Sequence, residues 1–394
     1  MFELDLDPLE MEAMNSGESS MYCQNLTVLN KTNEMAARML LYDATSSGLI
    51  TIALPIIGTI GCLINASFLF VVFRIRRMRT ITNAYLCNLA ASDILFLLTA
   101  TAAGSLQYHS SPVNFDKYQT GIAGCVLFNF LIYTFFFASI ALVTLVSLER
   151  YYAICSPLKQ WLISGKARTA KLLLVTWMIS ASMAALNVPA FIVLKPLCVD
   201  WPDTEDFQDF PDIVGDCKPV TPWFTQVSCV SRMIPFFVAM IGNIYMYSRI
   251  ILTLKRRFIV NPNDAAASGQ AINHVQSVRR QVSAMLIATG TAFFLCQVST
   301  QVYVLLGMVT SLTGIRFFSP QQRVVILWIN RMLLYANSTI NPIVYNVTNQ
   351  RYRSAFNTAI IHCDTHMTTR QRGSRRPYME RGDTAQQTIH TSLM

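Results

Sequence analysis

Charged residues are scarce in this sequence. Asp, Glu, Lys and Arg make up 13% of the 394 residues, while 53% are hydrophobic. Soluble domains carry roughly 25% charged residues, so the deficit argues against an ordinary cytosolic enzyme. Histidine is rarer still, at five positions (109, 274, 362, 366 and 390) that all lie outside the long apolar blocks. No His/Cys/carboxylate group has metal-ligand spacing, and neither a nucleophile elbow nor a phosphate-cradling glycine loop occurs, so catalysis is disfavoured. No internal repeat is visible, and the inverted halves of many transporters are missing. No block of signal-peptide character precedes the first apolar block. The formal charge of +9 would suit nucleic acid or an anionic membrane surface. Nucleic acid is set aside, because the apolar residues come in blocks that no soluble domain could leave unburied.

Seven such blocks are present: Leu49–Phe73, Ala84–Leu106, Ile122–Val146, Ala170–Leu194, Val227–Leu254, Val282–Val309 and Val324–Val347. Each approaches or exceeds the ~20 residues that span a bilayer as helix, where an open sheet could not satisfy its backbone. The expected class is therefore an all-α membrane protein, a seven-helix bundle over residues 48–348. Residues 1–47 read as a free extracellular tail, 349–363 as a juxtamembrane amphipathic helix and 364–394 as a disordered cytoplasmic tail.

The cations sort by side. The gaps after the first, third and fifth blocks, with the segment beyond Asn349, hold 22 Lys and Arg against five acids. The opposite side holds seven cations against 16 acids, seven of them within Asp200–Asp216. Cations mark the cytoplasmic face, which sets the amino terminus outside and the carboxyl terminus inside, as at a plasma membrane. Apart from Lys171 and Arg249, which sit near block ends and are counted with the cytoplasmic cations, only Asp93, Arg232 and Arg331 carry charge within the blocks. Two sequons, at Asn25 and Asn30, fall in the outer tail and are glycosylation candidates. Cys23, Cys125, Cys198 and Cys217 face the oxidising side, where four cysteines allow three pairings. Cys125 opens the third block, and a bridge to the loop before the fifth would pin that loop over the mouth. Cys217, nearer the fifth block, is the preferred partner over Cys198; a Cys23–Cys198 pair is the weaker expectation. Cys363 follows the juxtamembrane stretch and is a palmitoylation candidate.

Several motifs fall at fixed places along the blocks. Asn65 sits in the first, Leu89-Ala90-Ala91-Ser92-Asp93 in the second, and Glu149-Arg150-Tyr151 ends the third, 25 residues after Cys125. Trp177 marks the fourth and Pro235 the fifth; Asn341-Pro342-Ile343-Val344-Tyr345 closes the seventh, before Tyr352-Arg353 and Phe356. In this order and register the set resembles the rhodopsin-like (class A) G-protein-coupled receptors from about Leu49 to Cys363.

The resemblance implies roles for particular residues. Asp93, Ser139, Asn337 and Asn341, with Asn65 and Ser338 nearby, would form an allosteric sodium site; no cofactor is otherwise required. The alternative is an Asp that only glues helices together. Glu149 would hold Arg150 at rest, and Arg150, Tyr151, Pro157 and Leu158 would meet a heterotrimeric G protein. Ile140, Pro235, Phe293, Asn341, Pro342 and Tyr345 would form the activation switch. Tail serines and threonines would serve kinases and arrestin, and lipid would surround the bundle. Two departures stand out. Cys296-Gln297-Val298-Ser299 replaces the family's Cys-Trp-x-Pro, and Asn243 stands where a tyrosine is usual. Arg279 and Arg280 occupy the foot of the sixth helix, where an acid would be needed for an ionic lock with the third.

Absences narrow the ligand. Ile132-Tyr133 replaces the Asp of amine receptors, and Tyr335 replaces the retinal lysine of opsins. Arg331 and Arg232, buried cations, need an anionic or carbonyl partner. Arg331, Tyr133, Glu149 and the run from Met78 to Leu86 resemble the thyrotropin-releasing hormone and neuromedin U receptor group. The expected ligand is therefore a neuropeptide, contacting Tyr133, Arg232, Gln297, Arg331 and Tyr335. The alternatives are a small anionic non-peptide ligand or, from a different class, a seven-helix transporter. A transporter would need several midplane polar pairs, broken helices or charged rings, and the three intramembrane charges form none.

Overall fold

The computed structural model describes residues 23, 26–30, 33–163, 165–260 and 269–359. Two short helices, α1 (Glu34–Arg38) and α2 (Ala44–Gly48), lead through a π-helical turn into the first span, α3 (Leu54–Arg74). The spans continue as α4 (Ile81–Ser110), α5 (Gly121–Cys155), α7 (Lys166–Ala185), α8 (Pro222–Val260), α9 (Gly269–Thr313) and α10 (Pro320–Thr348), with a short α6 (Pro157–Ile163) between α5 and α7. A last helix, α11, covers residues 350–359, and the chain beyond it, with Cys363, lies outside the described residues.

Local chemistry sets the boundaries. Thr80 caps α4 by accepting from the Asn83 amide, and Ser319 with Gln322 forms a capping box ahead of Pro320 on α10. Gly121 and Gly314, both at positive φ, turn the chain at the start of α5 and the end of α9. Helix α5 is the hub, with α4, α7, α8 and α9 packed around it; α10 closes the ring between α9 and α3. The main core gathers Phe136, Phe137, Ile140, Phe236, Phe293 and Phe294 at mid-membrane. A second core around Tyr85, Met285, Tyr345 and Tyr352 lies toward the end of the bundle where α10 meets α11.

Among the described residues, six helices are apolar enough alone to cross a membrane, and α10 is not one of them. It carries Asn330, Arg331, Asn337, Ser338 and Asn341, and all of these except Arg331 are buried. Its polarity is directed into the bundle and not into lipid.

Three details depart from the sequence expectations. The tail is not wholly free: β1 (Thr27–Asn30) runs parallel to β2 (Val193–Asp200), which pairs antiparallel with β3 (Ile213–Lys218). Leu29, Leu197, Val199 and Val214 bury a small outer core with Leu40, Val113 and Phe115, which gives the strand a reason to dock. The fourth span ends at Ala185 instead of Leu194. Asn187 and Pro189 follow in a helical turn, and the β-branched Val193 opens β2. The polar gap before the sixth span is helical from Gly269, so α9 projects beyond the membrane.

Candidate functional site

Functional side chains gather at three depths. At mid-membrane, Asp93 on α4 is buried and accepts a 2.8 Å hydrogen bond from Asn341 Nδ2 on α10. Asn65 donates to the Gly61 and Ser338 carbonyls, tying α3 to α10. Ser139 on α5 shares a 3.3 Å bond with Ser92, beside Asp93 in sequence. The side-chain oxygens of Asn65, Asn337 and Asn341 are buried without a hydrogen-bond partner. A carboxylate among unpartnered amide oxygens has the hard-oxygen chemistry that a small cation needs, so the residues present fit sodium. Tyr345 is buried, with its ring 5.2 Å from Phe68 and 5.8 Å from Tyr352, so at rest it packs toward α3 and α11. Ile140 and Phe293 join one core cluster with Phe236, the neighbour of Pro235, and Pro342 lies inside α10.

At the end of the bundle where α5 meets α6, Arg150 grips Glu149 through two bonds, Nε to Oε2 at 2.5 Å and Nη2 to Oε1 at 3.0 Å. Thr82 on α4 donates to Glu149 Oε2 at 3.2 Å and accepts from Arg150 Nη2. Gln160 on α6 also donates to Glu149, at 3.4 Å. The carboxylate thus holds the guanidinium and is itself held from two neighbouring helices. Arg150, Ala153, Ile154 and Gln160 line a cleft of about 190 Å³. Pro157 starts α6, and Leu158 beside it is an apolar side chain left 85% exposed. Tyr151 lies 6.2 Å, centroid to centroid, from Tyr245 on α8.

On the outer side, the Arg232 guanidinium lies over the Tyr133 ring at 5.3 Å, and Phe191 stacks on Tyr133 at 5.8 Å. Arg232 therefore points into the bundle. Arg331 is half-buried over Trp328 at 4.7 Å, and Trp328 donates to Ser46 on α2. Burial pushes the phenol of Tyr42, next to α2, up to about 12, while the Arg331 charge works against the rise. Among the described residues Arg331 has no carboxylate in ion-pair contact. Tyr335 is placed differently from its ligand-binding expectation: its hydroxyl bonds Thr101 at 3.1 Å and its ring meets Phe96 edge-on, within the α4–α10 packing. Gln297 is buried, its Oε1 without a partner, and Thr300 and Gln301 on the same helix face also carry unpartnered oxygens.

The loop before α8 covers this end. Cys125 is bonded to Cys217, the preferred pairing, and Cys23 to Cys198, the weaker expectation. Asp116 is buried and accepts from the amides of Tyr118 and Gly215, fastening β3 to the start of α5. Trp201, Phe207 and Phe210 form an aromatic knot. The acids Asp200, Asp203, Glu205, Asp206, Asp209 and Asp212 stay exposed, and Asp206 pairs with Arg38 at 2.7 Å. Of the sequon residues, Asn25 lies outside the described residues and Asn30 ends β1.

Sequence reasoning noted Tyr247 only as a tyrosine near Asn243, and it missed Phe191, Trp328 and Gly290. The last was detectable as a glycine inside a long helix, which calls for a packing reason. Tyr247 on α8 shares a 2.8 Å bond with Ser147 on α5, and a Cβ added at Gly290 on α9 would fall 1.8 Å from its hydroxyl oxygen. Asn243, at the position of the usual tyrosine, donates instead to Thr144 at 3.0 Å.

The architecture is a helix bundle with a disulfide-pinned lid at one end, the Arg150–Glu149 pair at the other and a polar core between. The model of the 7 transmembrane receptor (rhodopsin family) matches residues 64–345, and the chain belongs to that family of G-protein-coupled receptors. It is 28% identical over 334 residues to the neuromedin U receptor homolog nmur-2 of Caenorhabditis elegans, covering 79% of each chain. It is 28% identical over 323 residues to the human thyrotropin-releasing hormone receptor, covering 76% of this chain and 75% of that one. The growth hormone secretagogue receptor type 1 of Rattus norvegicus is 29% identical over 306 residues, covering 77% of this chain and 78% of its own.

Proposed function

We propose that this receptor is activated by an extracellular neuropeptide and transmits that event to a heterotrimeric G protein by opening its cytoplasmic face. The observation that carries the ligand reading is Arg331, a half-buried guanidinium that faces Trp328 and has no ion-pair partner among the described residues. A cation so placed asks for a carbonyl or carboxylate, and a peptide supplies either. The relatives named for peptide hormones support the same reading. The exposed acids of the lid favour the approach of a basic or neutral peptide. Tyr133, Arg232 and Gln297 line the same end of the bundle; Tyr335 supports it from behind. Two inward arginines also suit a small anionic non-peptide ligand, the second reading.

Charge balance supports a plasma-membrane receptor with its amino terminus outside. Agonist binding would release Arg150 from Glu149 to meet the transducer, with Tyr151, Pro157 and Leu158 beside it. Ile140, Pro235, Phe293, Asn341, Pro342 and Tyr345 would relay the change. Sodium held by Asp93, Ser139, Asn337 and Asn341 would supply a positive charge that stabilises the closed bundle. Arrestin and receptor kinases would act on the tail, membrane lipid would surround the bundle, and a palmitoyl group on Cys363 would add an anchor. Glycans on Asn25 and Asn30 would extend from the outer segment.

Cells expressing the chain, screened with a neuropeptide library by calcium and cyclic-AMP readouts, test the reading. A peptide hit whose potency drops sharply in Arg331→Gln at normal surface expression is the expected result. Unchanged potency would remove Arg331 from the site, and a response only to small anions would favour the second reading.

A further inference from the structure

Opening of the cytoplasmic face, on which this inference rests, requires α9 to part from α5 and α8. Whatever joins those three helices sets the resting state. Helix α9 has no acidic residue anywhere along its sequence, and Arg280 is the sole charged side chain among its described ones. An ion pair from Arg150 to α9 is therefore impossible, and Arg150 is already committed to Glu149 and Thr82. The closed state needs another fastener.

The three helices converge on one phenol. Tyr247 on α8 is buried among Ile154 of α5 and Ile250 of its own helix, with Ile287 of α9 packed against them. Its hydroxyl shares a 2.8 Å hydrogen bond with Ser147 of α5, whose own hydroxyl also reaches the Val143 carbonyl. The backbone of α9 lies directly over this bond at Gly290. A Cβ there would stand 1.8 Å from the Tyr247 oxygen and 2.8 Å from Cζ, closer than any real side chain can come. One turn further out, Asn243 bonds Thr144, so α5 and α8 are stitched twice, and at the inner stitch the backbone of α9 closes over the bond.

We propose that Tyr247, Ser147 and Gly290 form an uncharged latch holding α9 closed, in place of an ionic lock. The mechanism follows from solvation. While α9 covers the bond, no water reaches the phenol, and the Tyr247–Ser147 hydrogen bond keeps its full value in a dry site. When α9 moves away, water competes for both hydroxyls and that advantage disappears. The bond thus favours the closed state, although neither partner belongs to α9. Gly290 is the part of α9 that makes the seal, because any Cβ would lift the helix from the phenol.

The test measures ligand-independent nucleotide exchange on each of the four Gα classes, normalised to surface receptor. In parallel, a fluorophore pair incorporated as unnatural amino acids at positions 76 and 280 of the purified full-length chain reports cytoplasmic opening. Tyr247→Phe and Ser147→Ala should each raise basal exchange by about fivefold, the shift expected from one ordinary hydrogen bond. The double variant should exceed neither, since both remove the same bond. Gly290→Ala should raise exchange at least as far and lengthen the label distance, and it should lose its effect on a Tyr247→Ala background, where nothing remains to collide. Tyr247→Phe and Ser147→Ala remove atoms, so they decide the matter even if Gly290→Ala fails to reach the surface. Basal exchange within about twofold of wild type in both, with no change in label distance, overturns the latch. A longer distance without exchange on any Gα class would uphold the latch and count against the G-protein reading instead.

Discussion

Glu149→Gln gives the sharpest test of how the resting state is held. The wild-type carboxylate makes two charge-assisted bonds to Arg150, at 2.5 and 3.0 Å, and receives two more from Thr82 and Gln160. The Glu149 and Arg150 side chains are only 15% and 19% exposed, so solvent screens the pair less than it would a surface bridge. Gln is isosteric and can still accept from Thr82, so the substitution removes charge while preserving shape. Hydrogen bonds to charged groups contribute about 1.5–3 kcal/mol. Taking about 2 kcal/mol as the loss, the closed-to-open equilibrium shifts roughly 30-fold. A receptor open about 1% of the time at rest would then be open about a quarter of the time. Basal nucleotide exchange per surface receptor, measured in membranes without ligand, should rise accordingly. A Gln variant with wild-type surface expression, wild-type thermal stability and unchanged basal exchange would refute the reasoning, because Arg150 would then be restrained by something else.

Three further outcomes follow from the geometry. Replacing sodium by a bulky organic cation should raise basal exchange in the wild type, and Asp93→Asn should abolish that difference; a sodium response that survives the substitution would leave Asp93 as structural glue. Gly61→Ala would place a methyl 2.5 Å from Thr339 Oγ1 and 2.6 Å from Leu97 Cδ1, so overpacking of about 1–3 kcal/mol should lower the melting temperature. Gly104→Ala, whose Cβ would meet nothing within 4 Å, is the control and should melt as wild type. Asp43, the cap of α2, has its pKa lowered chiefly by a hydrogen bond from Ser46. A depressed carboxyl contributes stability above its ordinary value and loses it as pH falls through the folded value. Thermal unfolding of Asp43→Asn should therefore lose part of the wild type's acid sensitivity, and Asp43→Ala should be less stable by about 1 kcal/mol at neutral pH.

The spans were legible because lipid imposes one rule on long helices, and the motif set singled out Asp93, Arg150 and Asn341, which the structure joins to polar partners, Asp93 to Asn341 and Arg150 to Glu149 and Thr82. Legibility ended where tertiary context decides. The strand at Thr27–Asn30 has only Val28 and Leu29 as apolar signals, and it exists because β2 and a disulfide wait for it. The apolar stretch after Asn187 looked like helix by composition, while its backbone partners lie in β3. Tyr335 and Arg232 were equally plausible pocket residues by position. Only side-chain direction separates them, one turned to Thr101 and the other to Tyr133. The latch was hidden for a similar reason, since a glycine and a tyrosine 43 residues apart say nothing alone.

The polarity of α10 has a consequence for how the molecule is made. A segment carrying Arg331 and several asparagines gains little from entering lipid alone, since charged and amide groups at mid-bilayer are each costly. In the finished bundle Asn330 accepts from Ser299 of α9 and Asn341 bonds Asp93 of α4, and both of those helices are synthesised first. Insertion of α10 is thus a late assembly step, templated by helices already in place. A defect in Asn65, which bonds the Ser338 carbonyl of α10, would then surface first as failed biogenesis of the last span, before any ligand is met.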